Sequence, residues 1–439
     1  MGQKNIKYII KELPLLVEKG MLTDQQSKTI SDYYVKQNEK KPNTMVVAFS
    51  IIGSTLLAAG IILLLAHNWS NLPRITRICI SYLPLVISQV LGFWVILKKR
   101  DSIAWTEGIG AFGFLAIGAT LSLVSQTYHI QGSFRSFMLN WLLLGFPLVY
   151  LYRSTTVTVF YITSVTTWAI AENIAVHSSL GYWPLMALVL PFYIMKYKKD
   201  KQGQPVAVIG LFLAISLIFG VFWTLIDITE GFKVISLISL FLIFLSTGLS
   251  YFREEEYFWK VPFFRVGLLG LSVVYIFLSY HLSWKNLSFV PTTKLQGGSF
   301  ILNVANYGIS ILLPLGAIIF AVIQGKKEKW PVALYAIGLP LALFGFLVSK
   351  NDFASAIITF AFNAYVLCFG LLYLRQGLKN NSGKALNYGL FMIAALAIIR
   401  FFDSDLTFIT RGLIFIILGA GFLGANIYLA KRKAAINEK

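Results

Sequence analysis

The feature that most constrains this chain is an apolar run from Met45 to Ala66, closed by His67, Asn68 and Trp69. A helix needs roughly 20 apolar residues to cross a hydrocarbon core of about 30 Å, so this run is long enough to span a bilayer. The same pattern, an apolar span followed by a short polar turn, repeats almost to the C-terminus. The repeat predicts an all-α, polytopic bundle of transmembrane helices over residues 45–430.

About fourteen spans are predicted, and twelve to fourteen is the range because the short fourth and sixth spans are candidates for re-entrant segments. The predicted spans lie near residues 45–66, 76–97, 107–126, 137–152, 156–173, 182–195, 205–226, 234–251, 262–280, 300–324, 331–348, 353–374, 385–402 and 408–430.

The composition supports a protein whose main partner is the lipid bilayer. Hydrophobic residues make up 57% of the chain and charged residues 13%, against roughly 25% charged residues in an ordinary soluble domain. The net charge of +19 does not predict nucleic-acid binding, because the basic residues lie in short loops and form no solvated face with stacking groups. Both cysteines, Cys79 and Cys368, lie in apolar spans, where we expect them to pack and not to form a disulfide framework.

Residues 1–44 are too polar to cross a membrane and begin with lysines, so no cleavable signal peptide is expected. Apolar residues at helical spacing predict an amphipathic helix from about Asn5 to Lys19, ended by Gly20. A second helix is predicted after Thr23, which is placed to form a capping box with Gln26. The segment therefore predicts a small cytosolic helical hairpin and linker, which either packs on the membrane domain or docks a protein partner.

The orientation follows from the lysine and arginine residues, which are retained on the cytosolic side of membrane spans. With the N-terminus inside, 29 of these 38 residues fall on inner segments and 9 on outer segments. An even number of spans with both termini cytosolic is therefore predicted, and residues 431–439 form a basic cytosolic tail.

Polar residues gather at the predicted outer ends of odd-numbered spans, where all four histidines also lie. Ionisable and amide groups at the edge of hydrocarbon are costly unless they are paired or hydrated, so their convergence predicts an outer polar binding cluster. The alternative is that each residue only marks where a helix meets interfacial water. The predicted cluster consists of His67, Asn68, Trp69, Gln126, Tyr128, His129, Glu172, Arg400, Asp403 and Asp405.

Enzymatic patterns are nearly absent from the sequence. It contains no Cys or His cluster with zinc spacing and no Gly-x-Ser-x-Gly nucleophile elbow, so no catalytic residue, metal or cofactor is assigned.

Five prolines interrupt predicted spans, and broken helices in transporters free backbone groups to bind substrate. Prolines are also common in membrane helices without a functional role. They are Pro84, Pro147, Pro191, Pro314 and Pro340.

Several short motifs occur in a defined order: Gly20 to Gln26 in the hairpin, Asn68-Trp69 with Leu72-Pro73-Arg74, and Gln126-x-Tyr128-His129-Ile130-Gln131-Gly132. This order resembles bacterial predicted membrane proteins grouped as a domain-of-unknown-function family. The segment Arg400-Phe401-Phe402-Asp403, followed by Arg411-Gly412, is similar to the C-terminal end of the family's long members. The resemblance covers about the first 150 and the last 40 residues. It implies a bacterial inner-membrane location and supplies no catalytic residues.

Three functions follow from these observations, in decreasing order of preference. The first is transport or flipping of a polar or lipid-linked solute through a site reached from outside. The second is a membrane scaffold or sensor that signals through the N-terminal hairpin. The third, and least favoured, is an enzyme acting on a lipid-linked substrate at the outer face.

Overall fold

A computed structural model of the chain describes ten ranges, together with isolated helical positions between residues 408 and 424. The ranges are 12–39, 69–178, 180–201, 203–226, 228–249, 261–286, 300–325, 330–348, 352–380 and 382–401. All regular elements in these ranges are helical, which confirms the predicted all-α class. The chain divides into two compact units, Met1–Cys79 and Ile80–Lys439.

The first unit contains helix α1 over residues 12–18 and helix α2 over Asp24–Glu39. At Gly20 the backbone takes the left-handed conformation with φ of +69°, which glycine adopts without strain. The N–H groups of Gly20 and Met21 donate to the carbonyls of Val17 and Leu16, so α1 ends in a Schellman motif.

The predicted capping box is also present at the start of α2. The Thr23 N–H donates to Gln26 Oε1 at 3.0 Å, and the Gln26 N–H donates to Thr23 Oγ1 at 3.3 Å. Two helix N-terminal groups are thereby satisfied by local side chains, as the sequence pattern requires.

The second unit holds most of α3 and all of the later helices. They are α3 (Arg74–Lys98), α4 (Ile103–Tyr128), α5 (Phe134–Tyr152), α6 (Thr155–Val176), α7 (Tyr182–Ala187), α8 (Leu190–Lys199), α9 (Gln204–Thr224), α10 (Glu230–Leu249), α11 (Pro262–Leu278), α12 (His281–Asn286), α13 (Phe300–Gly325), α14 (Trp330–Val348), α15 (Asp352–Lys379) and α16 (Gly383–Phe401).

Eleven of the fourteen predicted spans coincide with single apolar helices. Eight are long and apolar enough to cross a bilayer, and these include α5, which corresponds to the short fourth span. Helices α11, α14 and α16 are the three shorter apolar ones. The predicted spans 45–66 and 408–430 fall wholly or largely outside the described residues. The eight long spans identify a multi-pass membrane protein.

The predicted single span over residues 182–195 is wrong in one respect, because the structure divides it into α7 and α8. Pro191 has no N–H and its ring crowds the carbonyl four residues earlier, so the helical ladder stops. The Val189 N–H donates instead to the Met186 carbonyl at 3.1 Å, in a tighter turn. Pro84, Pro147, Pro314 and Pro340, by contrast, lie inside unbroken helices.

The helices of the second unit pack around two large buried apolar clusters, and Val95, Ile109 and Tyr152 form a small third one. The larger cluster gathers side chains mainly from α9, α10, α11, α14 and α15, and the other joins α4, α5, α6, α7, α8 and α9. Helix α10 is buried on nearly all sides and is the central helix of the larger cluster.

Helices α10 and α13 run parallel. The rings of Phe232 and Tyr307 lie 6.2 Å apart near the start of both helices. Near their ends, Gln324 Nε2 donates to the Ser246 carbonyl at 3.0 Å. Parallel spans have an odd number of spans between them in the chain, in agreement with α10 and α13, which correspond to the eighth and tenth predicted spans and have α11 between them.

Candidate functional site

The structure describes half of the predicted outer cluster. Trp69 opens a short 3-10 helix in the first unit, Trp69–Asn71. Gln126, Tyr128 and His129 are exposed at the end of α4, and Glu172 is half-buried near the end of α6. His67, Asn68, Asp403 and Asp405 lie outside the described residues, and Arg400 is described only as part of α16. Two of the predicted residues are joined through the backbone, because the His129 N–H donates to the Gln126 carbonyl at the end of α4.

His129 has a structural role at the end of α4. Its φ of 50° is left-handed, and its N–H and that of Ile130 donate to the carbonyls of Gln126 and Ser125. These two bonds form a Schellman motif in which His129 occupies the position most often filled by glycine. His177 is left-handed at the end of α6 in the same way, with φ of 49°. Helix termination therefore accounts for two of the four histidines at predicted outer ends.

Glu172 has an ionic partner that the sequence did not identify. Arg135 Nε lies 3.3 Å from Glu172 Oε2, and the two side chains are 34% and 23% exposed. The pair joins the start of α5 to the end of α6. The neighbouring Asn173 is buried, and its Nδ2 donates to the Trp223 carbonyl of α9 at 3.0 Å. The start of α5 and the ends of α6 and α9 are thus joined by polar contacts.

A second polar region lies between α10 and α13, inside the bundle. The distribution of polar and apolar residues on helix α13 is the reverse of that on a helix of a soluble protein. Its exposed face is strongly apolar and includes Ile311, Leu312 and Leu315. Its buried stripe holds polar or small residues at helical spacing: Asn306, Ser310, Ala317, Ala321 and Gln324. In a bilayer the apolar face meets lipid, so the polar stripe faces protein.

The contacts of Gln324 show that this stripe faces α10. Asn306 and Gln324 are about five full turns apart at 3.6 residues per turn, so both project from the same side of α13. Because Gln324 donates to the Ser246 carbonyl, Asn306 also faces α10.

Three serines occupy the side of α10 that meets this stripe. Phe232 and Ile243 contact α13 at Tyr307 and Gly316. At roughly 100° per residue, these two residues and the three serines fall within about 40° of Phe232 on the helix surface. We call the facing polar residues the polar seam; they are Ser236, Ser239 and Ser246 of α10 and Asn306, Ser310 and Gln324 of α13.

The hydrogen bonds within the polar seam are incomplete. Ser239 and Ser310 donate to carbonyls one turn back in their own helices, at 2.7 and 2.9 Å. Ser236 Oγ and Asn306 Oδ1 are buried and have no hydrogen-bond partner among the described residues. Buried polar atoms without partners are costly, so these two oxygens are the most informative in the seam.

Residues 14–158 match the model of a family described as "Predicted membrane protein (DUF2157)". This part of the chain is similar to that family. No match was found among curated proteins or solved structures.

The DUF2157 match runs from α1 into the start of α6 and agrees with the family resemblance that the N-terminal motifs predict. Gln126, Tyr128 and His129 of the outer cluster lie inside the matched region. The polar seam lies beyond it. The family description names no activity, so the seam has to be interpreted from its own chemistry.

A network of buried tyrosines joins the helices beyond the DUF2157 match. The Tyr388 hydroxyl bonds both Ser272 Oγ and the Tyr335 hydroxyl. Tyr275 donates to the Tyr335 carbonyl, and Tyr365 donates to the Leu334 carbonyl, each at 2.6 Å. Sequence analysis missed this network because single tyrosines in apolar spans carry no spacing pattern. Since these hydroxyls are partnered, the network is typical of structural bonding between α11, α14, α15 and α16.

No group of three or more His, Cys, Asp or Glu side chains within the described ranges could hold a metal ion. The polar seam is the candidate binding region because two of its buried oxygens, Ser236 Oγ and Asn306 Oδ1, have no hydrogen-bond partner among the described residues. Its oxygens and its neighbouring lysine, Lys233, suit a polar solute.

Proposed function

We propose that this multi-pass membrane protein moves a polar solute, or the polar head of a lipid-linked solute, across the bacterial inner membrane along the polar seam. The observation that carries the proposal is the inverted pattern of α13, with lipid-facing apolar residues and a polar stripe turned inward. Polar side chains are expensive inside a membrane and commonly mark solute pathways. Packing between helices accounts for the partnered polar groups of the stripe, but not for Ser236 Oγ and Asn306 Oδ1, which have no hydrogen-bond partner among the described residues.

The arrangement of the seam suits entry from the outer side. Both parallel helices begin at what we propose is the outer face, with the N- and C-termini in the cytosol. The unpartnered oxygens of Ser236 and Asn306 lie in their first halves. Toward the other end of α13 the stripe has no polar side chain at Ala317 and Ala321. At that end the hydrogen bond from Gln324 to the Ser246 carbonyl links the two helices and closes the proposed pathway. We propose that Gln126, Tyr128, His129 and Glu172 border the outer entrance.

Pro314 lies between the polar and the alanine-lined parts of α13. Because proline has no N–H, the Ser310 carbonyl receives no helical bond from position 314. A proline within a membrane helix is a common place for bending. We propose that α13 bends at this position when the seam opens.

Cysteine accessibility tests the proposal without knowledge of the solute. Cys79 and Cys368 are first changed to Ser, and single cysteines are then introduced by Ser310→Cys or by Ile311→Cys, its lipid-facing neighbour. A charged, membrane-impermeant thiol reagent reacts only where water reaches the thiol. Added from outside to intact spheroplasts, it should label Ser310→Cys and not Ile311→Cys.

The result also separates transport from the scaffold function. If Ser310→Cys stays unlabelled in the native membrane but reacts after denaturation, the seam is permanently dry and the transport proposal is wrong. A scaffold signalling through the hairpin would then be favoured. Equal labelling of both positions would show that the assigned lipid-facing side of α13 is incorrect.

A further inference from the structure

Lys233 is a buried cation beside the polar seam. The residue is only 7% exposed, and its Nζ lies 2.7 Å from Glu230 Oε1, whose side chain is 56% exposed. A buried charge is tolerated only when it is paired, so this bond secures the lysine. The carboxylate of its partner, Glu230, is exposed to solvent. The ion pair therefore connects the interior of the bundle to the solvent at the start of α10.

The ammonium group of Lys233 has unused binding capacity. It carries three N–H donors, and among the described residues only Glu230 accepts one of them. The unpartnered atoms nearby are acceptors or hydroxyls: Asn306 Oδ1, Ser236 Oγ and, at the start of α10, Thr229 Oγ1. This set of groups is complementary to a ligand with an anionic end and an adjacent N–H or O–H donor.

The register of the parallel helices places Asn306 at about the level of Lys233 and Ser236 one turn further in. Since Phe232 meets Tyr307, Asn306 lies beside the first turn of α10, where Lys233 is located. Ser236 is one turn further in, about 7 Å below Asn306 at a rise of 1.5 Å per residue. On α10, Lys233 and Ser236 are three residues apart and project from adjacent sides of the helix. The distance of about 7 Å between the levels of Asn306 and Ser236 suits a small organic acid.

We propose that the seam binds a small carboxylate carrying a hydroxyl or amino group on the adjacent carbon. The Lys233 ammonium binds the carboxylate, while Asn306 Oδ1 accepts from the hydroxyl or amino group and Ser236 Oγ adds a third contact. No bond is made or broken covalently. A metal cation is disfavoured at these oxygens because the lysine charge would repel it.

Glu230 acts in this proposal as an internal competitor. In the empty site its carboxylate occupies Lys233, and the ligand carboxylate takes its place while Glu230 remains hydrated at the exposed end. The two members of one ion pair therefore have opposite effects on ligand binding. A purely structural ion pair would give no such opposition.

The experiment measures binding of three probes to the full chain purified in detergent, by isothermal titration calorimetry. L-Lactate has both groups, propionate lacks the hydroxyl, and lactamide lacks the charge. Lactate should bind most tightly. Losing a bond to a charged group costs about 1.5–3 kcal/mol, equivalent to about 10- to 150-fold in Kd, so lactamide should bind at least about tenfold more weakly.

Three variants complete the test. Lys233→Gln should abolish lactate binding, Glu230→Gln should tighten it several-fold, and the exposed Lys379→Gln is the matched control with unchanged affinity. The inference is overturned if lactate and lactamide bind equally, or if Glu230→Gln weakens binding as Lys233→Gln does. The inference is also overturned if the folded wild-type chain binds neither lactate nor the two amino-acid probes, glycine and L-alanine.

The inference takes its site from the proposed transport function, but the two fail separately. Carboxylate binding with a dry, unlabelled Ser310→Cys would retain the site and reject transport. Labelling of Ser310→Cys without carboxylate binding would retain the pathway and reject this ligand class.

Discussion

His129 is the residue at which a helix-ending role and a binding role are best separated. A non-glycine residue in the left-handed conformation costs roughly 1 kcal/mol, which glycine avoids. We therefore expect His129→Gly to leave the melting temperature in detergent unchanged or slightly higher, and His129→Val to lower it. If His129 also contributes to the outer entrance, His129→Gly should reduce labelling of Ser310→Cys while the fold remains intact.

His177→Gly is the matched control, because His177 is left-handed at the end of α6 and was not assigned to the outer cluster. A marked loss of stability in His129→Gly alone would contradict the helix-ending role. It would show that the imidazole makes a stabilising contact of its own.

The pair of Arg135 and Glu172 gives a second prediction at the residue scale. Both side chains are partly exposed, so the interaction should contribute about 0.5–1 kcal/mol rather than the several kcal/mol of a fully buried pair. Arg135→Ala, Glu172→Ala and the double variant form a thermodynamic cycle measured by denaturant unfolding. Strictly additive effects would show that the contact adds no stability. The sequence also predicts an ion pair between Arg400 and Asp403, which are three residues apart, but these two side chains lie outside those that the structure describes.

At the scale of elements, glycines allow neighbouring helices to approach each other closely. A Cβ added to Gly389 in α16 would lie 2.6 Å from the Gly370 carbonyl oxygen and 2.7 Å from the Leu374 nitrogen, both in the backbone of α15. Because backbone cannot move aside, Gly389→Ala should separate the two helices and cost about 1–3 kcal/mol. Denaturant unfolding of the purified protein would measure the loss.

Gly108 is the matched control, because nothing lies within 4 Å of a Cβ built there in α4. Alanine is the better helix former by about 1 kcal/mol, so Gly108→Ala should be neutral or stabilising. Equal destabilisation by both variants would contradict the close packing of α15 and α16.

The break between α7 and α8 predicts a coupling between two distant residues. The Val189 N–H is turned away from the Leu185 carbonyl, and the Tyr161 hydroxyl donates to that carbonyl at 3.1 Å. Tyr161→Phe should therefore cost about 1–2 kcal/mol by leaving the carbonyl unpaired. In a Pro191→Ala background the helical ladder can re-form, so the same substitution should cost less. An unchanged cost in the unfolding free energy would show that the tyrosine acts independently of the break.

At the scale of the whole molecule, hydropathy was sufficient to predict most of the architecture. Apolar length alone located eleven helices, and Thr23 with Gln26 predicted a local cap that needs no tertiary information. The polar seam was not predictable, because Ser236 and Asn306 become significant only when two helices 70 residues apart are placed side by side. The outer cluster was inferred from the positions of span ends along the sequence. Those positions do not reveal that Glu172 pairs with Arg135.

The proposed orientation is the last prediction, and it concerns every span at once. Since α10 and α13 are parallel, reporter fusions after residues 250 and 326 should lie on the same side, and the positive residues predict the cytosol. Fusions after Lys199 and Lys431 should also report the cytosol, and one after His129 the outside. Alkaline phosphatase is active only outside and green fluorescent protein fluoresces only inside, so paired fusions at each position supply internal controls. An external Lys431 fusion would make the span count odd. An external fusion at residue 250 with an internal one at residue 326 would contradict the parallel pair, and with it the shared level of Lys233 and Asn306.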